Sequence, residues 1–238
     1  MSLFKDFEVT NKRPLPVFFL IDTSGSMTGE KIEKVNLAFK EMLTSFKNIK
    51  NNRGELHISV ITFGGKVDIA HMLSPLDEYN FEPFKANGGT PMGEAFELVT
   101  NMIEDESIVT KNSFSPIIVL LSDGLPTDLP GDIRTKAKDT EAFKQWDKLE
   151  EMQKSRRVGK SIKLALGIGK DANMNMLKAY VNNNSVPVFK AHDASVITTF
   201  FEWVTMSVSV KSINPENNNV FADQNTLDDM FAEGDYEL

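Results

Sequence analysis

Phe18-Phe19-Leu20-Ile21-Asp22-Thr23-Ser24-Gly25-Ser26-Met27 decides how this chain is read. A short, unbroken apolar run is the pattern of a strand buried on both faces, as in a parallel sheet. It stops at one carboxylate. Two hydroxyls follow at alternate positions, with a glycine between them that lets the chain bend. In open α/β sheets, ligands bind just beyond the carboxyl ends of the strands. Here that place holds Asp22, Ser24 and Ser26. Three oxygen side chains converging at a strand end suit a hard cation such as Mg²⁺, which takes oxygen ligands. The chain contains no cysteine and this stretch no histidine, so zinc is not expected.

Two further segments extend the pattern. In Asn87-Gly88-Gly89-Thr90-Pro91-Met92-Gly93-Glu94, Thr90 reads as a helix N-cap and Pro91 as the first helical residue. In Ile117-Ile118-Val119-Leu120-Leu121-Ser122-Asp123-Gly124, a second buried parallel strand again ends on a carboxylate. The order is therefore D-x-S-x-S, then Thr90, then Asp123, each at the edge of a regular element. Asp128 reads as a solvated loop acid and Glu94 as a surface or capping partner.

These three segments resemble the metal-ion-dependent adhesion site (MIDAS) of von Willebrand factor type A domains. Asp22, Ser24, Ser26, Thr90 and Asp123 match that motif position by position, and the resemblance covers residues 15–210. It implies that the hydroxyls bind the metal directly, that the aspartates act directly or through water, and that the metal is Mg²⁺ or Mn²⁺. A dication held mainly by neutral oxygens stays electron-poor, so a carboxylate from a partner is a favourable added ligand. The compact layout resembles stand-alone bacterial tellurium-resistance proteins of the TerY type, which implies a cytoplasmic chemical-stress role.

The rest of the chain fits this frame. Strands are expected over 15–22, 55–63, 66–73, 116–122, 161–168 and 186–190, and helices over 31–47, 90–106, 135–157, 172–180 and 194–210. Gly64-Gly65 marks a tight hairpin between the second and third strands. This alternation predicts a three-layer α/β/α, doubly wound, Rossmann-like sheet. It would have six mostly parallel strands with one antiparallel edge strand. Residues 1–13 read as a lead-in, 14–210 as the domain, and 211–238 as a flexible acidic tail.

Charge and composition narrow the function. The net charge of −8 argues against a nucleic-acid binder. Seven acids and one base fall within 211–238, which carries most of that charge. No stretch reaches the roughly 20 apolar residues of a membrane span, and the start of the chain lacks the apolar core of a secretion signal. The absence of cysteine suits the cytoplasm. His57, His71 and His192 have no metal-ligand spacing.

The leading expectation is a non-enzymatic, metal-dependent protein-binding module whose cation takes an Asp or Glu of a partner. That acid could also come from the chain's own or a neighbour's tail, through Asp223, Asp228, Asp229, Glu233, Asp235 or Glu237. Two alternatives are a Mg²⁺-dependent hydrolase or phosphoryl-transfer enzyme and a scaffold subunit of an ATPase or chelatase complex. Against the enzyme stand the missing second acid/base pair and the lack of a phosphate-cradling lysine in a P-loop.

Overall fold

The structure is a computed structural model and describes residues 12–49, 54–131, 138–214, 224–232 and 234–237. Strand β1 (Arg13–Asp22) is its centre, with its last eight residues all buried. A strand that apolar needs a neighbour on each side and a covering layer on each face. It pairs in parallel with β2 (Gly54–Gly64) and, on its other side, with β4 (Ile117–Ser122). Strand β3 (Lys66–Pro75) returns antiparallel to β2 through the Gly64-Gly65 turn. Strands β5 (Ile162–Ile168) and β6 (Val188–Ala191) continue in parallel beyond β4, and β7 (Tyr236–Glu237) closes that edge antiparallel to β6. The seven strands run in the order β3-β2-β1-β4-β5-β6-β7. This is the mixed, doubly wound α/β sheet expected from the sequence, with one strand more.

The helices are α1 (Glu30–Lys47), α2 (Met92–Glu104), α3 (Thr140–Lys144), α4 (Asp147–Lys154), α5 (Met174–Val181), α6 (Ala194–Ile213) and α7 (Gln224–Met230). The apolar stripe of α1, including Val35, Phe39, Met42 and Phe46, is buried at helical spacing. Phe39 meets Phe19 of β1 edge-to-face at 5.0 Å and Phe201 of α6 at 5.8 Å. In the group formed by α2, α4 and α5, Phe96 stacks on Tyr180 at 5.5 Å. The Tyr180 hydroxyl donates to the Ile118 carbonyl of β4 at 3.1 Å. Burial of each such side chain contributes about 1.5–3 kcal/mol, which anchors the central strands and fixes where their carboxyl ends lie.

Three expectations need correction. The single charged helix expected over 135–157 is two: α3, capped by Asp139, whose carboxylate accepts from Glu141 N at 2.9 Å, and then α4. Residues 132–137 lie outside the described residues. The break falls at Trp146, which takes an extended backbone and buries its ring beside Phe96 at 5.9 Å. Burying a large indole there wins over helical propensity.

The C-terminal segment is the second correction. Where the acidic composition suggests a flexible tail, the described residues hold α7 and β7. Leu227 and Phe231, one helical turn apart, are both buried, and the Phe231 ring sits 4.5 Å from Phe189 of β6. Composition averages over these few apolar contacts and so misses them. The third correction concerns the start of α2, described below. Of the 1–13 lead-in, residues 1–11 lie outside the described residues, and Arg13 already belongs to β1.

Candidate metal site

Strands β1 and β4 are neighbours, so Asp22 and Asp123 emerge side by side at the same end of the sheet. Asp22 is fully buried and doubly held: Ser24 N donates to its Oδ1 at 2.8 Å and the Ser122 hydroxyl to its Oδ2 at 2.5 Å. Burial raises its pKa above the ordinary carboxylate value, the bonds from Ser122 and Ser24 pull it back, and the Asp123 charge adds to the rise. Beyond it the oxygens form a chain. Ser24 Oγ and Ser26 Oγ lie 3.0 Å apart, and the Ser26 hydroxyl donates to Asp123 Oδ1 at 2.7 Å. The second Asp123 oxygen receives the ammonium of Lys31, from the first turn of α1.

The third arm arrives by backbone bonds. Asn87 N donates to the Thr23 carbonyl at 2.7 Å and Gly25 N to the Gly88 carbonyl at 2.8 Å. These lock the loop before α2 onto the turn after β1. Gly88 has φ +76°, and a Cβ there would stand 2.5 Å from Gly65 Cα, so the close approach of this loop to the β2–β3 turn requires glycine. Thr90 is buried at its end. Its own backbone N–H and C=O are taken by Thr127, through the Thr127 hydroxyl at 3.0 Å and amide at 2.9 Å.

Thr90 was expected to cap α2, with Pro91 as the first helical residue. Instead the helix begins at Met92, Pro91 holds the N-cap position, and no side chain of that cap bonds the helix. Asp128 does so from the loop after β4, accepting from Glu94 N at 3.0 Å. The Thr90 hydroxyl is thereby spared from capping, and among the described residues it makes no hydrogen bond to the other four candidate ligands.

The structure thus links Asp22, Ser24, Ser26 and Asp123 in one hydrogen-bonded set and brings Thr90 to it through the backbone. Sequence reasoning missed Ser122, Thr127 and Lys31. Only Lys31 carries a signal: a cation in a first helical turn opposes the helix dipole and needs an anion nearby. The donor set fits a hard dication. Among the described residues no three His, Asp or Glu side chains group around a metal position, so hydroxyls would have to complete the shell. The three histidines lie elsewhere, His57 against Glu55, His71 against Ser74 and His192 against Asp235.

The model of the von Willebrand factor type A domain matches residues 17–203. The chain belongs to the von Willebrand factor type A family. This VWA chain is 30% identical over 194 residues to human inter-alpha-trypsin inhibitor heavy chain H2, covering 75% of its own length and 18% of that protein's. It thus spans less than a fifth of that relative. Among solved structures it is similar to the von Willebrand factor domain of the type V pilus tip protein Mfa5 from Porphyromonas gingivalis. There the TM-score is 0.63 at 11% identity, covering 87% of this chain and 98% of that one. It is also similar to proximal thread matrix protein 1 from the mussel byssus, described with a zinc-occupied MIDAS motif. That match has a TM-score of 0.55 at 14% identity, covering 84% of this chain and 46% of that one. At these identities the likeness supports the VWA fold. Among the described residues no helix is long and apolar enough to cross a membrane.

Proposed function

We propose that Asp22, Ser24, Ser26, Thr90 and Asp123 bind a divalent cation, Mg²⁺ or Mn²⁺, and that this cation recruits an Asp or Glu of a partner protein. The observation that carries the reading is the Ser24–Ser26–Asp123 oxygen chain at the ends of two adjacent parallel strands, backed by the buried Asp22. When bound, the metal supplies a positive centre that a partner carboxylate can neutralise. The protein's own part is orientation. Ser122 and Ser24 N fix Asp22, and Thr127 and Gly25 fix the Thr90 loop.

The module is read as non-enzymatic. Both oxygens of Asp22 already accept hydrogen bonds and the group is fully buried, which makes it a poor nucleophile. An acid from another protein is favoured because three of the chain's own C-terminal acids are already engaged, although Asp229 stays exposed. Asp228 accepts from the Tyr236 hydroxyl, Asp235 faces His192, and Glu237 pairs with Lys178. Asp223 and Glu233 lie outside the described residues.

The test is partner retention from lysate by wild type and Asp22→Ala, each with Mg²⁺ or with a chelator. Retention is expected only in wild type with Mg²⁺; equal retention in all four conditions contradicts the reading. Calorimetric titration with Mg²⁺, Mn²⁺ and Zn²⁺ assigns the ion, the zinc arm being included because of the mussel relative. A bacterial, cytoplasmic role in a tellurium-resistance system rests on the sequence resemblance, and tellurite sensitivity of a strain lacking the protein tests it.

A further inference from the structure

The strongest feature outside the five candidate ligands is Lys31. Its ammonium contacts Asp123 Oδ2, whose side chain is 1% exposed, while the lysine side chain is 31% exposed. The lysine therefore reaches inward from the rim to a carboxylate that solvent barely touches. Its position works against local electrostatics. The first turn of α1 favours anions and otherwise carries Glu30 and Glu33. A glycine of the loop after β5 lies against the same arm. Gly169 has φ +88°, and a Cβ there would lie 3.0 Å from Lys31 Cε and 3.3 Å from Nζ. The Gly169 loop thus leaves room for one extended lysine that ends on a candidate metal ligand.

We propose that Lys31 is a tethered competitor for the cation: it neutralises Asp123 while the metal is away and must yield that carboxylate when the metal binds. The inference rests on the metal-site reading above. A lysine ammonium and a dication on one largely dry carboxylate repel each other strongly. Binding is then an exchange of one positive charge for another, and metal affinity is set below what the five oxygens alone would give.

The experiment titrates the full chain with Mg²⁺ and, separately, Mn²⁺ by calorimetry. Wild type is compared with Lys31→Met, which keeps the apolar stem beside Gly169 and removes the charge, and with Lys31→Gln as a second neutral variant. Both variants are expected to bind each ion about tenfold more tightly, the scale of one partly exposed charge interaction. Their metal-free melting temperatures are expected to fall and the rise on adding Mg²⁺ to grow. Affinity equal to or weaker than wild type in both variants overturns the inference while leaving the metal site standing. Absence of metal binding by all three proteins overturns the metal site and the inference together.

Discussion

The Ser26 hydroxyl donates to Asp123 Oδ1 at 2.7 Å, joining residues 97 positions apart in the chain. The bond ties the turn after β1 to the end of β4, and each residue holds the other in place. Ser26→Ala removes a candidate ligand and the donor that orients Asp123. It is expected to weaken Mg²⁺ binding about 10- to 100-fold. Asp123→Ala is expected to abolish it, with circular dichroism showing a retained fold in both variants. Calorimetric affinities equal to wild type would remove these residues from the site.

Thr90 and Asp128 separate two roles that the sequence had merged. Thr90→Ala is expected to weaken metal binding with little effect on stability, because no helix cap is lost. Asp128→Ala removes the acceptor for Glu94 N and is expected to cost about 1 kcal/mol of stability with metal affinity unchanged. Chemical denaturation and metal titration of the same two proteins check the pair. The opposite pattern would return capping to Thr90.

Gly88→Ala meets both a positive φ and the Gly65 backbone. It is expected to cost about 1–3 kcal/mol and also to weaken metal binding, since relief of the clash shifts the loop that carries Thr90. A variant as stable as wild type would show that the loop accommodates a side chain by another path.

Lys163 gives a pH signature away from the site. It is buried in β5, donates to the Val158 carbonyl at 3.1 Å, and burial pulls its pKa from 10.5 down to about 8. Between these two values the unfolded chain holds a proton that the native chain has released, so stability rises with pH across that window. Below about 8 the native protein carries the buried charge and this contribution is lost. Lys163→Met is expected to flatten the rise by up to ~3 kcal/mol. Urea denaturation of both proteins at pH 7, 9 and 10.5 reads the difference; identical pH slopes would refute it.

Much of this was legible in the sequence. The apolar runs of β1 and β4 are clear enough to read as buried parallel strands that each end on a carboxylate, while their being neighbours is what the structure adds. The hairpin followed from Gly64-Gly65. What stayed hidden depends on contacts distant in sequence. Asp128 caps a helix that starts 36 residues before it. Trp146 breaks a charged helix because of a ring on another helix. Phe231 docks a segment whose composition is dominated by acids. Lys31 signals from the sequence that a first-turn cation needs an anion, but not that the anion is Asp123 until β4 is placed beside β1.

The bonds that join the two loops run only between backbone groups, from Asn87 N to the Thr23 carbonyl and from Gly25 N to the Gly88 carbonyl. The exposed side chain of Asn87 takes no part in these two bonds. Position 87 can therefore change its side chain without breaking these bonds, whereas Gly88 beside it cannot. If the five oxygens hold an ion as proposed, the fold separates that grip from the vocabulary of the surface around it.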